Sequence, residues 1–110
     1  MKKIVLPLAF VALFSRETSA EDGARLFQAK CQTCHGTDGK GNPALKKVYG
    51  PGINIVDEAS QAKDDAEWQR LVAEGAVKGK MPAFKKTLSE ENIGHIIAYV
   101  RSLAPREPTE

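Results

Sequence analysis

Cys31, Gln32, Thr33, Cys34 and His35 form one unbroken run, and the two cysteines in it are the only ones among the 110 residues. The run fits the C-x-x-C-H pattern of covalent haem attachment. Each thiol adds to one of two haem vinyl groups, and two intervening residues let both sulfurs reach while the adjacent His35 sits under the iron. Other chemistries use the same residue types. A thiol redox pair of the thioredoxin kind needs a helix N-terminus beside its first cysteine, within a βαβ framework, whereas a helical pattern precedes Cys31 and glycines follow His35. A zinc site from Cys31, Cys34, His35 and His95 would crowd adjacent residues into one tetrahedron, and no second ligand pair is present. As a disulfide, the pair would close a loop too short to stabilise the chain much.

Low-spin haem needs a second axial ligand, and outside the first twenty residues the remaining soft or nitrogen donors are Met81 and His95. Met81 lies in Gly79-Lys80-Met81-Pro82-Ala83-Phe84, a strap between helical segments that Pro82 stiffens. Its competing role is a gap-filling core methionine. His95 falls roughly 140° from the centre of its helix's apolar stripe at 100° per residue, so it is expected to face solvent.

The elements that must position these groups are helical. Glu21 and Asp22 open a run of good helix formers that is expected to continue to Cys31. From Gly36 to Gly52, repeated glycines with Asn42, Pro43 and Pro51 predict a long loop, which a compact domain accommodates only by wrapping it around something. Asp64 or Asp65 is expected to cap a helix through Trp68, Leu71 and Val72 that stops at Gly75. Ser89 is expected to cap a last helix carrying Ile93, Ile96, Ile97, Val100 and Leu103 on one face, with Pro105 beyond its end. No segment alternates with period two, so the fold class is all-α.

Residues 1–20 read as a secretory signal peptide: Lys2 and Lys3, the apolar run Ile4 to Phe14, then Thr18-Ser19-Ala20, with cleavage expected after Ala20. The run is too short to span a bilayer, so no stable membrane anchor is expected. The single domain is residues 21–110, about 90 residues, near the lower limit for a core that stabilises itself. With 6% aromatic residues, a large buried cofactor would supply missing apolar surface. Without the leader the chain holds 13 basic and 13 acidic residues, a balance unlike that of nucleic-acid binders.

Taken together, Gly23 and Phe27 eight and four residues before Cys31, the Cys-x-x-Cys-His run, Gly50-Pro51, Lys80-Met81-Pro82-Ala83-Phe84 and Ile97-Ala98-Tyr99 resemble class I cytochrome c, in particular its small bacterial members. The resemblance spans essentially the whole of 21–110. It implies a cytochrome c fold of three or more helices around one covalently bound haem c, the first and last helices crossing near Gly23 and Tyr99. It implies that the Pro51 carbonyl, with Pro43 the alternative, accepts a hydrogen bond from the outer ring nitrogen of His35. Trp68 is a candidate donor to a haem propionate or else plain core.

Histidine and thioether together fill both axial positions, leaving no site for oxygen or peroxide. The expected role is therefore a periplasmic one-electron carrier between redox partners of a respiratory or related chain, not an enzyme. A neutral thioether favours ferrous iron and raises the potential relative to bis-histidine ligation. Lys78, Lys80, Lys85 and Lys86 around Met81 would steer an acidic redox protein, and a monomer is expected. Two other readings stay open: a haem peroxidase or gas sensor, which needs Met81 to dissociate, and a thiol oxidoreductase, which binds no haem.

Overall fold

The structure, a computed structural model, describes residues 19–76 and 81–105. The leader before Ser19, Lys78 and Lys80 beside Met81, and the tail after Pro105 lie outside the described residues. Among the described residues, six helices and one 3-10 turn follow one another: α1 (Ser19–Lys30), α2 (Gln32–His35), α3 (Pro43–Tyr49), the 3-10 turn (Pro51–Ile53), α4 (Glu58–Gln61), α5 (Asp65–Glu74) and α6 (Glu90–Leu103). Among the described residues the sole extended pairing is an isolated antiparallel bridge between Ala76 and Met81. No described helix is long and apolar enough to cross a membrane.

The three long helices form for local reasons. Glu21 and Asp22 lie in the first turn of α1 and Lys30 in its last, each charge opposite to the macrodipole end it meets. The Asp64 carboxylate accepts from the Glu67 amide to start α5, and Gly75, at φ +89°, ends it. The Ser89 hydroxyl accepts from the Asn92 amide at 3.0 Å, with Glu90 and Glu91 in the first turn of α6.

The apolar stripe of α6 becomes the centre of the core: Ile93, Ile96, Ile97 and Val100 are buried against Phe27 of α1 and against Trp68 and Val72 of α5. Burying an aliphatic or aromatic side chain of this size contributes roughly 1.5–3 kcal/mol. The helices α1 and α6 make the most extensive packing in the fold. Gly23 sets their approach, since a Cβ there would collide with the His95 carbonyl and stand 2.9 Å from the Tyr99 Cβ. Four residues on, the Phe27 and Tyr99 rings pack with centroids 5.4 Å apart.

This close crossing also changes the setting of His95. Its side chain is only 20% exposed, with Nε2 3.6 Å from Glu91 and 3.9 Å from Asp22, because α1 covers a helix face expected to meet solvent. The expected loop from Gly36 to Gly52 contains α3. Asn42 caps it through the Ala44 amide, Pro43 takes the first turn, and Gly50, at φ +83°, terminates it. The short helix α4, capped by Asp57, was not expected either.

Candidate haem site

Cys31 continues from the end of α1, its amide donating to the Phe27 carbonyl at 2.8 Å. The chain then makes one more turn, with the Cys34 and His35 amides both donating to the Cys31 carbonyl at 3.3 and 3.0 Å. Positions i, i+3 and i+4 of a helical turn share a face, which is why this spacing gathers two sulfurs and an imidazole. The following loop folds back on the turn: the Gly41 amide donates to the His35 carbonyl at 2.8 Å and the Asn42 amide to the Cys34 carbonyl at 2.9 Å.

His35 Nδ1 lies 2.8 Å from the Ile53 carbonyl oxygen. A carbonyl only accepts, so Nδ1 carries the proton and Nε2 keeps its lone pair. The acceptor is thus neither Pro51 nor Pro43. Pro51 opens the 3-10 turn and its carbonyl accepts from the Asn54 amide at 3.1 Å; the turn brings the Ile53 carbonyl round to the histidine instead. Burial lowers the His35 pKa and so favours the neutral imidazole, and the bond to Ile53 opposes this only in part.

Met81 is placed from the other side of the sequence. Its amide and carbonyl pair with Ala76 at 3.1 and 3.0 Å, and the strap after it is stitched to the end of α5 by Phe84 N donating to the Val72 carbonyl and Lys85 N to the Ala73 carbonyl. Those carbonyls are among the four that a helix C-terminus leaves without partners. The strap satisfies them and is fixed by doing so.

Both thiols, His35 and Met81 line one cavity of about 380 Å³, within the size range of cofactor sites. Phe27, Ile53, Trp68, Val72 and Ile96 supply much of its apolar wall, and His95 is not part of it. Trp68 is 7% exposed. Its indole N–H, the candidate propionate donor, donates to the Ser60 carbonyl at 3.0 Å, and Trp68 lines the cavity. Lys63 and Tyr49 are among the polar groups on the lining that sequence reasoning missed; no motif marks them, since their place depends on α3 and α4.

The donor set fits haem c: two free thiols and an imidazole with an open Nε2 on one turn, a thioether in the same apolar cavity. Burial and the neighbouring Cys34 push the Cys31 thiol up to about 11, leaving it protonated at neutral pH. His95, the fourth residue of the zinc alternative, stands apart from the cavity that Cys31, Cys34 and His35 line.

Residues 18–100 match the family described as cytochrome C oxidase, cbb3-type, subunit III. The cbb3-type cytochrome c oxidase subunit FixP of Azorhizobium caulinodans is 36% identical over 86 residues, covering 77% of this chain and 27% of that protein. FixP of Bradyrhizobium sp. (strain ORS 278) is 34% identical over 85 residues, covering 76% and 27%. The chain therefore spans about a quarter of the length of these curated relatives. Among solved structures, the KustC0563 c-type cytochrome superposes with a TM-score of 0.67 at 29% identity, covering 76% of this chain and 99% of that one. The all-α fold, the motif-bearing turn and these matches place the chain in the cbb3-type cytochrome c oxidase subunit III family, as a class I c-type cytochrome.

Proposed function

We propose that this protein is a periplasmic one-electron carrier of a respiratory or related chain, with haem c held covalently by Cys31 and Cys34 and its iron ligated by His35 and Met81. The observation that carries the reading is the convergence of these four side chains on one apolar cavity from two separate parts of the sequence. When bound, haem c supplies an Fe(III)/Fe(II) couple that takes and gives one electron. The chain's own residues would do the rest. His35 offers Nε2 in the tautomer set by Ile53, and that hydrogen bond raises the basicity of the ring. Met81 offers a neutral thioether from a strap that backbone hydrogen bonds hold in place. Phe27, Trp68 and Val100 keep water from the cavity, and Lys63 on its lining would meet a propionate.

The leader at 1–20, with cleavage after Ala20, would export residues 21–110 as a monomer for haem addition outside the cytoplasm. A redox protein with an acidic docking face is the expected partner. Lys86 is exposed on the strap side, while Lys85 is paired with Glu74 at 3.1 Å. The test is intact mass of the exported protein and of the Cys31→Ala/Cys34→Ala variant. A mass excess of one haem over the calculated chain mass in the first and none in the second supports the reading; no haem excess in the first contradicts it.

A further inference from the structure

Arg101, on the last turn of α6, is far from His35 in sequence and lines no part of the cavity. Its guanidinium nevertheless serves several acceptors at once. Nε and Nη2 donate to Asp65 Oδ1 at 3.1 and 2.8 Å, Nη2 also donates to the Lys63 carbonyl at 2.7 Å, and Nη1 donates to both the backbone carbonyl and Oε1 of Gln61 at 3.0 and 3.2 Å. Its carbon Cζ stands 5.3 Å from the Trp68 ring centroid. Asp65 is 74% exposed, so the ion pair itself contributes little. The consequential bonds are those to Gln61 and Lys63, at the end of α4 and just beyond it, where helix carbonyls lack partners.

From that segment a second set of bonds leads toward the cavity. Gln61 Nε2 donates to the Ile55 carbonyl at 2.9 Å, and the Ser60 hydroxyl donates to the Asn54 carbonyl at 2.9 Å. Asn54 and Ile55 directly follow Ile53, whose carbonyl accepts from His35 Nδ1. We propose that Arg101 is a positioning residue for His35: by clamping residues 61–65 it fixes Ser60 and Gln61, which hold residues 54–55 and so aim the Ile53 carbonyl at the imidazole. The proposal rests on His35 being the haem ligand. A planar five-donor fork suits this task, since it serves several acceptors in one rigid geometry, and an ammonium does not.

The test uses the haem-loaded, reduced protein with Arg101→Gln, Arg101→Lys, Gln61→Leu and the Arg101→Gln/Gln61→Leu double variant. NMR follows solvent exchange of the His35 ring Nδ1–H against that of core amides such as those of Ile97 and Val100. Arg101→Gln should speed ring exchange about tenfold more than core exchange, the size of an ordinary network coupling. Arg101→Lys should not rescue it, and the double variant should show less than the product of the single effects. Gln61→Leu, which removes one intermediate link and leaves the arginine in place, should give the same signature more weakly. Ring exchange that only follows core exchange, or full rescue by lysine, would overturn the proposal while leaving haem ligation intact. A wild-type protein without haem would overturn the ligation reading and this proposal with it.

Discussion

Gly75 and Met81 meet backbone to backbone: a Cβ on Gly75 would stand 2.7 Å from the Met81 carbonyl oxygen and 3.2 Å from the Ala83 nitrogen. The end of α5 and the strap that presents Met81 are therefore one packed unit. Gly75 also sits at φ +89°, ψ 171°, a conformation essentially confined to glycine.

Gly75→Ala should cost about 1–3 kcal/mol from the backbone conformation, with the collision against the strap adding to it. Because that collision pushes on Met81, the haem-loaded variant should bind added imidazole more tightly than wild type does. Imidazole titration beside guanidinium unfolding checks both effects. Lost stability with unchanged imidazole affinity would separate the strap from Met81.

Gly23→Val should destabilise the protein by about 1–3 kcal/mol or more, the usual cost of overpacking, because the new side chain meets the backbone of α6 at His95. Equilibrium unfolding measures it. An unchanged midpoint would mean that α1 and α6 do not cross at this glycine.

Trp68→Phe keeps the ring in the cavity wall and removes the N–H given to Ser60. The expected loss is about 1 kcal/mol, that of one hydrogen bond, with the visible spectrum and haem content unchanged. A change in the spectrum or in haem content would instead restore the propionate role to Trp68.

Asp57 caps α4 through the Ser60 amide, and the bond from that amide holds the Asp57 carboxyl below its usual range. A carboxyl with a lowered folded-state pKa contributes stability above its unfolded pKa of about 3.9 and loses it as pH falls through the folded value. The stability gap between wild type and Asp57→Asn should therefore be present at neutral pH and shrink below about pH 4. Urea titrations of both proteins across that range test the sign; a gap that widens on acidification would contradict it.

Local signals made much of the fold legible before any coordinates. The stripe from Ile93 to Leu103, the caps Asp64 and Ser89, and the stop at Gly75 each act within one helical turn, so neighbouring residues suffice to read them. Asn42-Pro43 carried the same kind of start signal for α3, but the surrounding glycines outweighed it. The acceptor of His35 was misplaced by two residues because the Pro51–Ile53 turn rotates one carbonyl away and another inward, which spacing alone does not reveal. The partial covering of His95 depends on α1, about seventy residues away in the chain, and the bonds of Arg101 span 36–40 residues. Such long-range pairings leave no local pattern. Cys31, Cys34, His35 and Met81 stand out as candidates by residue type and spacing, and the fold brings all four to one cavity.

The central claim is that the cavity holds haem through Cys31 and Cys34 with His35 and Met81 on the iron. The most direct measurement is the visible absorption spectrum of the exported protein, oxidised and reduced, for wild type and Met81→Ala. The account predicts a sharp reduced α-band in both proteins. It also predicts a weak long-wavelength ferric band, the mark of methionine ligation, in wild type and not in Met81→Ala. A ferric spectrum that Met81→Ala leaves unchanged would remove Met81 from the iron, and the absence of any haem spectrum would contradict the account as a whole.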